Sequence, residues 1–239
     1  MVAGVAVAVL ILAADAAAQD ISINFGQGAG LTERVIQLIA LLTVLSLAPS
    51  ILVMVTSFTR IVVVLSLLRT ALGTATAPPN SVIISLALFL TAFVMGPAFQ
   101  RAYDVGIRPL VNNEVTVEQA FERSSEPFRA FMIKNVRDKD LALFMDLARE
   151  PRPDKPEDIS LRILVPAFMI SELKRAFEIG FLLFLPFLII DLVVASVLMS
   201  MGMMMLPPVV VSLPFKLIFF VLVDGWSLVA GSLVQSYGP

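Results

Sequence analysis

Apolar residues dominate this chain in four blocks separated by more polar stretches. The blocks cover about residues 35–68, 82–99, 162–200 and 206–234, and each is long enough for a membrane helix of about 20 residues. Charged residues concentrate elsewhere: 22 of the 36 lie between positions 101 and 158. The pattern predicts an all-α, membrane-associated protein with a small helical extramembrane domain inserted between its apolar regions.

The polar stretch divides the chain into three regions. The boundaries we expect are 31–99 for a first membrane helical region, 100–160 for the polar helical domain and 161–237 for a second membrane helical region. Within the polar domain, helical spacing of apolar residues predicts helices over 117–134 and 138–149, with Asp138 as a cap.

Two of the apolar blocks are longer than a simple membrane span requires. The first contains Pro49 and the third contains Pro186. Proline inside a helix removes a backbone hydrogen bond and kinks or breaks the chain at that point. We therefore expect long, Pro-kinked helices that tilt within, or rise partly out of, a protein assembly.

The N-terminus has the pattern of a secretory signal peptide. The segment MVAGVAVAVLILAADAAAQ combines an apolar run with a small-residue triplet, which predicts a signal peptide over residues 1–18. Cleavage there would put the mature N-terminus outside the cytoplasmic membrane. Because a basic region is missing before the apolar run, the alternatives are a start further upstream or a retained anchor.

An island of charge interrupts the third apolar block. Glu172 and Arg175 are three positions apart, and Lys174 and Glu178 are four apart, so each charge can reach an opposite one on a helix. Isolated charges in hydrocarbon cost several kcal/mol, so these side chains are expected to pair either within the chain or between subunits. Further lone charges in apolar surroundings follow the same argument: Arg60, Asp191, Lys216 and Asp224.

Composition narrows the possible functions. The chain has no Cys and no His, its hydrophobic fraction is 58%, and its formal net charge is −2. Thiolate or imidazole metal sites, Cys or Ser-His catalysis and nucleic-acid binding are therefore not expected, and we predict no enzyme activity and no cofactor. Asp191 and Asp224 lack the motifs of an intramembrane aspartyl protease, and no series of titratable groups links the acidic residues into a proton path.

Methionine is clustered near the end of the third apolar block. Five of the eleven Met lie in 199–205, beside Gly202 and Pro207. Gly and Pro predict a turn over 199–208 between two apolar helices. Met side chains are unbranched and adaptable, so a ring of them could close a pore and yield to a passing polypeptide; ordinary packing is the alternative.

Several segments resemble the FliP family, a subunit of the flagellar type III export gate. PAFMISELKRAFEIGF (166–181) and PFKLIFFVLVDGW (214–226) are similar to its two signature segments. SFTRIVVVLSLLRTALGT (57–74), LALFLTAFVMGP (86–97) and MGMMMLPP (201–208) are similar to the same family. The resemblance covers nearly all of 31–237 in order.

The resemblance implies a pentamer of this subunit, built with the Q and R membrane subunits and neighbouring export-apparatus proteins into a channel for unfolded polypeptides. It implies a place in the bacterial inner membrane, within the flagellar basal body and in contact with lipid, with the polar domain on the periplasmic side. It implies a pore gasket at Met203, Met204 and Met205, and it favours intersubunit charge pairs in the island. The paralogous injectisome subunit and an ion or solute transporter are the alternative functions.

Overall fold

The computed structural model describes residues 53–238 except 75, 152, 154 and 204, together with separate helical positions between 35 and 51. The expected signal peptide lies outside these residues, as does Pro49. Every regular element in the described part is helical, which confirms the all-α prediction.

The helices follow one another with short connections. In chain order they are α1 (Phe58–Leu72), α2 (Asn80–Ala102), a π-helical turn (Tyr103–Ile107), α3 (Arg108–Val111), α4 (Val117–Asn135), α5 (Asp138–Ala148), a 3₁₀ turn (Pro156–Asp158), α6 (Leu161–Ser200), α7 (Pro208–Leu222) and α8 (Gly225–Gln235). α4 and α5 lie where the sequence predicts them to within one residue. Asp138 is the first residue of α5 rather than its cap, because Arg137 occupies the cap position.

Helix α6 is a single element of 40 residues. At 1.5 Å per residue it is about 60 Å long, roughly twice the hydrocarbon thickness of a bilayer. It continues through Pro166 and Pro186, so neither proline ends the helix. One proline removes only one backbone donor, and the flanking helical bonds together with packing against α1 hold the helix continuous.

Two helical stretches among the described residues are long and apolar enough to cross a membrane. They are Asn80–Val111, which includes the π-helical turn, and Leu161–Ser200. Helices α7 and α8 meet at an angle of 63° and count as a third span if they are taken together.

Two apolar cores hold the described residues from 50 to 238 together as one compact unit. The first lies between α1, α2, the middle of α6 and α7–α8, around Ile61, Leu65 and Phe187. The second joins α4 and α5 to the N-terminal half of α6, around Met132, Leu141 and Phe168. The helices of the polar region therefore share their core with α6, which fixes them to the charged island.

Candidate functional site: buried ion pairs and a methionine turn

Arg60 in the first turn of α1 meets Glu172 in α6. The Arg60 Nε donates to Glu172 Oε2 at 3.0 Å, and Nη2 donates to Oε1. Both side chains are almost completely buried. A guanidinium and a carboxylate commonly form such a pair of parallel hydrogen bonds. Each group neutralises the other, and either charge alone would be costly in an apolar environment. Glu172 therefore pairs across helices with Arg60 and not with Arg175 three positions away.

The C-terminal end of the chain completes this pair. The Tyr237 hydroxyl donates to Glu172 Oε2 at 2.5 Å, and the Arg60 guanidinium lies 3.9 Å from the centre of the Tyr237 ring. The Arg60 Nη1 donates to the Ser236 Oγ at 3.0 Å. Phe131 of α4 also stacks on the Tyr237 ring, with 5.6 Å between ring centres. One tyrosine thus connects α1, α4 and α6 to the end of the chain.

Tyr237 follows α8 and is itself buried. Burial, and then the neighbouring Glu172 carboxylate, raises the pKa of the Tyr237 hydroxyl well above its ordinary value. The hydroxyl therefore keeps its proton and remains a donor. The nearby Ser57 Oγ is buried without a hydrogen-bond partner among the described residues.

A second ion pair joins α7 to α6. The Lys216 Nζ lies 2.6 Å from Asp191 Oδ2 and also donates to the Ala71 carbonyl oxygen of α1 at 3.3 Å. The Ser212 hydroxyl donates to Asp191 Oδ1 at 2.5 Å. Lys216 is buried, and Ser212 precedes it by one helical turn on the same face. Lys216 therefore pairs with a carboxylate of another helix of the same chain.

The remaining charges of the island face outward. Lys174 Nζ lies 3.4 Å from Glu178 Oε1, and both side chains are more than half exposed. Arg175 is partly exposed and makes no ion pair or hydrogen bond with the described residues. Asp224 is exposed at the bend between α7 and α8, where its φ is 50°. The island is therefore divided into a buried half and a half available to a neighbour.

The methionine-rich segment forms a tight turn between α6 and α7. Gly202 has a φ of 74°, its N–H bonds to the Met199 carbonyl, and the Met203 N–H bonds to the Leu198 carbonyl at 3.0 Å. These two bonds define a Schellman motif, in which glycine supplies the left-handed residue. Met205 is 98% exposed, and Met203 is also exposed. Met204, the third expected gasket residue, lies outside the described residues.

Extensive apolar surface surrounds this turn. Exposed side chains lie along the C-terminal half of α6 and along α7, including Leu192, Val197, Val210 and Phe215. A groove between the two helices is lined almost entirely by apolar atoms. Surface of this kind is typical of contact with lipid or with other subunits.

Sequence reasoning missed Tyr237, Ser236 and Ser212. Ser212 carries a detectable signal, because it lies four positions before Lys216 on the same helix face. Tyr237 lies beyond the last helix with no periodic pattern around it. Its role depends on where α8 ends relative to Arg60, which only the packing of the helices determines.

Comparisons with known proteins agree on one family. A model of the FliP family matches residues 41–233. A flagellar biosynthetic protein FliP from Caulobacter vibrioides is 65% identical over 233 residues, covering 97% of this chain and 88% of its own length. Proteins of the same name from Rhizobium meliloti and Bacillus subtilis are 58% and 57% identical, covering 85% and 84% of this chain and 84% and 91% of themselves. The chain belongs to the FliP family.

Proposed function

We propose that this chain is a core membrane subunit of the flagellar type III protein export gate. The observation that carries the proposal is its identity of 65% over nearly its whole length to a protein named for flagellar biosynthesis. The apolar helices α2 and α6 support a membrane location. The role is mechanical, because the exported polypeptide passes through as cargo. The subunit neither forms nor breaks a covalent bond in that polypeptide.

The subunit forms a ring of several copies, and the family leads us to expect a pentamer. The ring assembles with the Q and R membrane subunits and with neighbouring export-apparatus proteins. The half-exposed pair Lys174 and Glu178, with Arg175 and Asp224, lies among exposed apolar side chains and is suited to contacts between copies. Charges at such an interface fix register and choice of neighbour more than they add stability.

The methionine turn acts as the gasket of this channel. Met203 and Met205 project from a turn held by the Gly202 Schellman motif, and Met205 has almost no contact with its own chain. Soft thioether side chains from several copies close the passage to ions at rest and move aside for an unfolded flagellar subunit. Met204 belongs to the same gasket by its position in the sequence.

The location we propose is the bacterial inner membrane within the flagellar basal body, with residues 100–160 on the periplasmic side. The signal-like sequence over 1–18 supports this orientation. An ion or solute carrier has less support, because Arg60, Glu172, Asp191 and Lys216 have partners inside the chain and do not line an open binding site. The relatives reported above are all named for flagella, which favours this branch over the injectisome.

Deletion of the gene tests the export role directly. Cells lacking the subunit are expected to stop secreting flagellar subunits into the medium, and secretion returns when this chain is supplied. Normal secretion by the deletion strain would contradict the proposal.

The gasket is tested by a leak measurement. Replacing Met203, Met204 and Met205 by Ala should let small ions cross the membrane of resting cells. Met54→Ala is the matched control, since Met54 is also exposed but lies outside the turn. Equal ion permeability in the two variants argues against a gasket, and native mass measurement of the purified protein tests the ring independently.

A further inference from the structure

A cavity of about 680 Å³ lies in a trough between α2 and α4. The two helices run antiparallel, since Phe99 packs edge-on against Phe128 at 5.6 Å and the Ser124 hydroxyl bonds to the Ala102 carbonyl. The walls are mainly apolar and aromatic, and the end of α8 with the segment after it, including Tyr237, also lines the cavity. The cavity is not part of the channel surface that we propose.

Among the described residues, two cations line this cavity and no acidic residue does. Arg101 comes from the end of α2, and Lys134 comes from the last turn of α4. Both are exposed, and neither forms an ion pair or a hydrogen bond with the described residues. Asp104, one turn beyond Arg101, accepts a hydrogen bond from Gln100. The cavity therefore offers two unneutralised positive charges above an apolar floor.

The cavity also lies where the apolar part of α2 ends. Residues 82–100 carry no charge, and Arg101 is the first charged residue after them. The charged helix α4 covers α2 only from about Phe93 onward, as the antiparallel contacts require. Toward the start of α2, Phe89 and Phe93 are exposed. This change from apolar to charged surface, with aromatic residues beside it, is typical of the headgroup level of a bilayer.

We propose that the cavity binds an anionic phospholipid, with its phosphate held by Arg101 and Lys134 and an acyl chain lying along Phe93 and Phe89. Basic side chains near the bilayer surface attract acidic headgroups, while adjacent apolar surface can hold the acyl chain. Phe93 and Phe89 are exposed one helical turn apart on α2 and offer apolar surface to a chain of methylene groups. The site ties α4 of the polar region to the bilayer.

Native mass spectrometry tests this site by counting bound lipids. The purified full-length protein in mild detergent is titrated with phosphatidylglycerol or, separately, with phosphatidylcholine. The double variant Arg101→Gln/Lys134→Gln is compared with Arg108→Gln/Arg123→Gln, which removes the same charge from exposed positions outside the cavity. The charge-preserving variant Arg101→Lys/Lys134→Arg completes the set.

The wild-type protein is expected to bind phosphatidylglycerol in preference to phosphatidylcholine. Each cation is expected to contribute about 1 kcal/mol of binding free energy. Removing both in Arg101→Gln/Lys134→Gln, the cavity variant, therefore predicts a fall in apparent affinity of roughly 30-fold. The control and the charge-preserving variants should retain the preference. Equal losses in the cavity and control variants would overturn the proposal, and so would wild-type protein without lipid preference. If the cavity variant loses copies of the subunit while lipid counts stay unchanged, a second copy occupies the cavity and the lipid proposal is wrong.

Discussion

The Arg60 guanidinium and the Glu172 carboxylate form two hydrogen bonds across 112 positions of sequence, and both side chains are buried. Tyr237 covers the pair from the end of the chain, donating to Glu172 while its ring faces the guanidinium. The charged island that stands out in the sequence is thus half structural: its deepest carboxylate joins α1, α6 and the C-terminus of the same chain.

Replacing Glu172 by Gln is expected to destabilise the folded protein strongly. Arg60 would remain buried without a counter-charge, a change that typically costs about 3–5 kcal/mol. Thermal unfolding in mild detergent, followed by circular dichroism, measures the loss. Glu178→Gln is the matched control, because its partner pair is more than half exposed and should change stability by less than about 0.5 kcal/mol.

Removing both charges should restore part of that stability. In Arg60→Met/Glu172→Gln no unpaired charge remains, although the hydrogen bond between Arg60 and Ser236 is lost. The double variant is therefore expected to unfold at a higher temperature than Glu172→Gln. If the stability loss of the double variant equals the sum of the losses in Arg60→Met and Glu172→Gln, the two side chains do not act as a pair.

Tyr237 should make stability depend on pH in the alkaline range. Because its folded-state pKa is raised, its contribution is complete below the unfolded-state pKa of about 10 and decreases as pH rises above that value. Denaturation of the wild type between pH 8 and about 11 should therefore show a steeper loss than denaturation of Tyr237→Phe. Parallel curves for the two proteins would count against a buried, protonated hydroxyl.

At neutral pH, Tyr237→Phe should cost about 1.5–3 kcal/mol, because the lost hydrogen bond goes to a charged carboxylate. Stacking on Phe131 is retained in this variant, so α4 should stay in place. Tyr237→Ala also removes the ring and should be less stable than Tyr237→Phe under the same conditions.

Exchanging the charges of Lys216 and Asp191 should restore only part of the stability that is lost when either residue is replaced alone. A carboxylate at 216 can pair with a lysine at 191, but it cannot donate to the Ala71 carbonyl, which now receives a hydrogen bond from Lys216. The unfolding temperature of Asp191→Lys/Lys216→Asp should fall between the wild type and Lys216→Asp. Full recovery would mean that the Ala71 contact contributes nothing.

Gly202→Ala should weaken the methionine turn by about 1 kcal/mol, because an alanine at a φ of 74° is strained. The strain is in the backbone, since no heavy atom of the described residues beyond its chain neighbours lies within 4 Å of the added carbon. Gly96→Ala is the control: its added carbon also meets nothing, but Gly96 lies in a helix, so the change should be neutral or stabilising. Both are measured by thermal unfolding, and the ion-leak assay should detect Gly202→Ala alone. An ion leak in both variants would contradict the conclusion that the methionine turn seals the channel.

Much of the local structure follows from the sequence. Apolar blocks, the charged stretch and helical spacing determined the all-α fold and the ends of α4 and α5 to within one residue, because these depend on contacts within a few turns. Thr116 and Gln119 also form a capping box at the start of α4, which the T-x-x-Q spacing signals. The long motif at 166–181 was sufficient to indicate the family, since its residues stand in one continuous order.

The partners of the buried charges were decided by the tertiary structure alone. On an isolated helix Glu172 is nearest to Arg175, yet packing of α1 against α6 brings Arg60 closer and excludes water from that side. Tyr237 reaches the same carboxylate from beyond α8, which bends by 63° from α7 at Asp224. The sequence determines which side chains are charged and which of them are neighbours on one helix. Contacts across more than a hundred positions depend instead on how whole helices pack. When two helices bury their apolar faces against each other, every contact between them is determined at once.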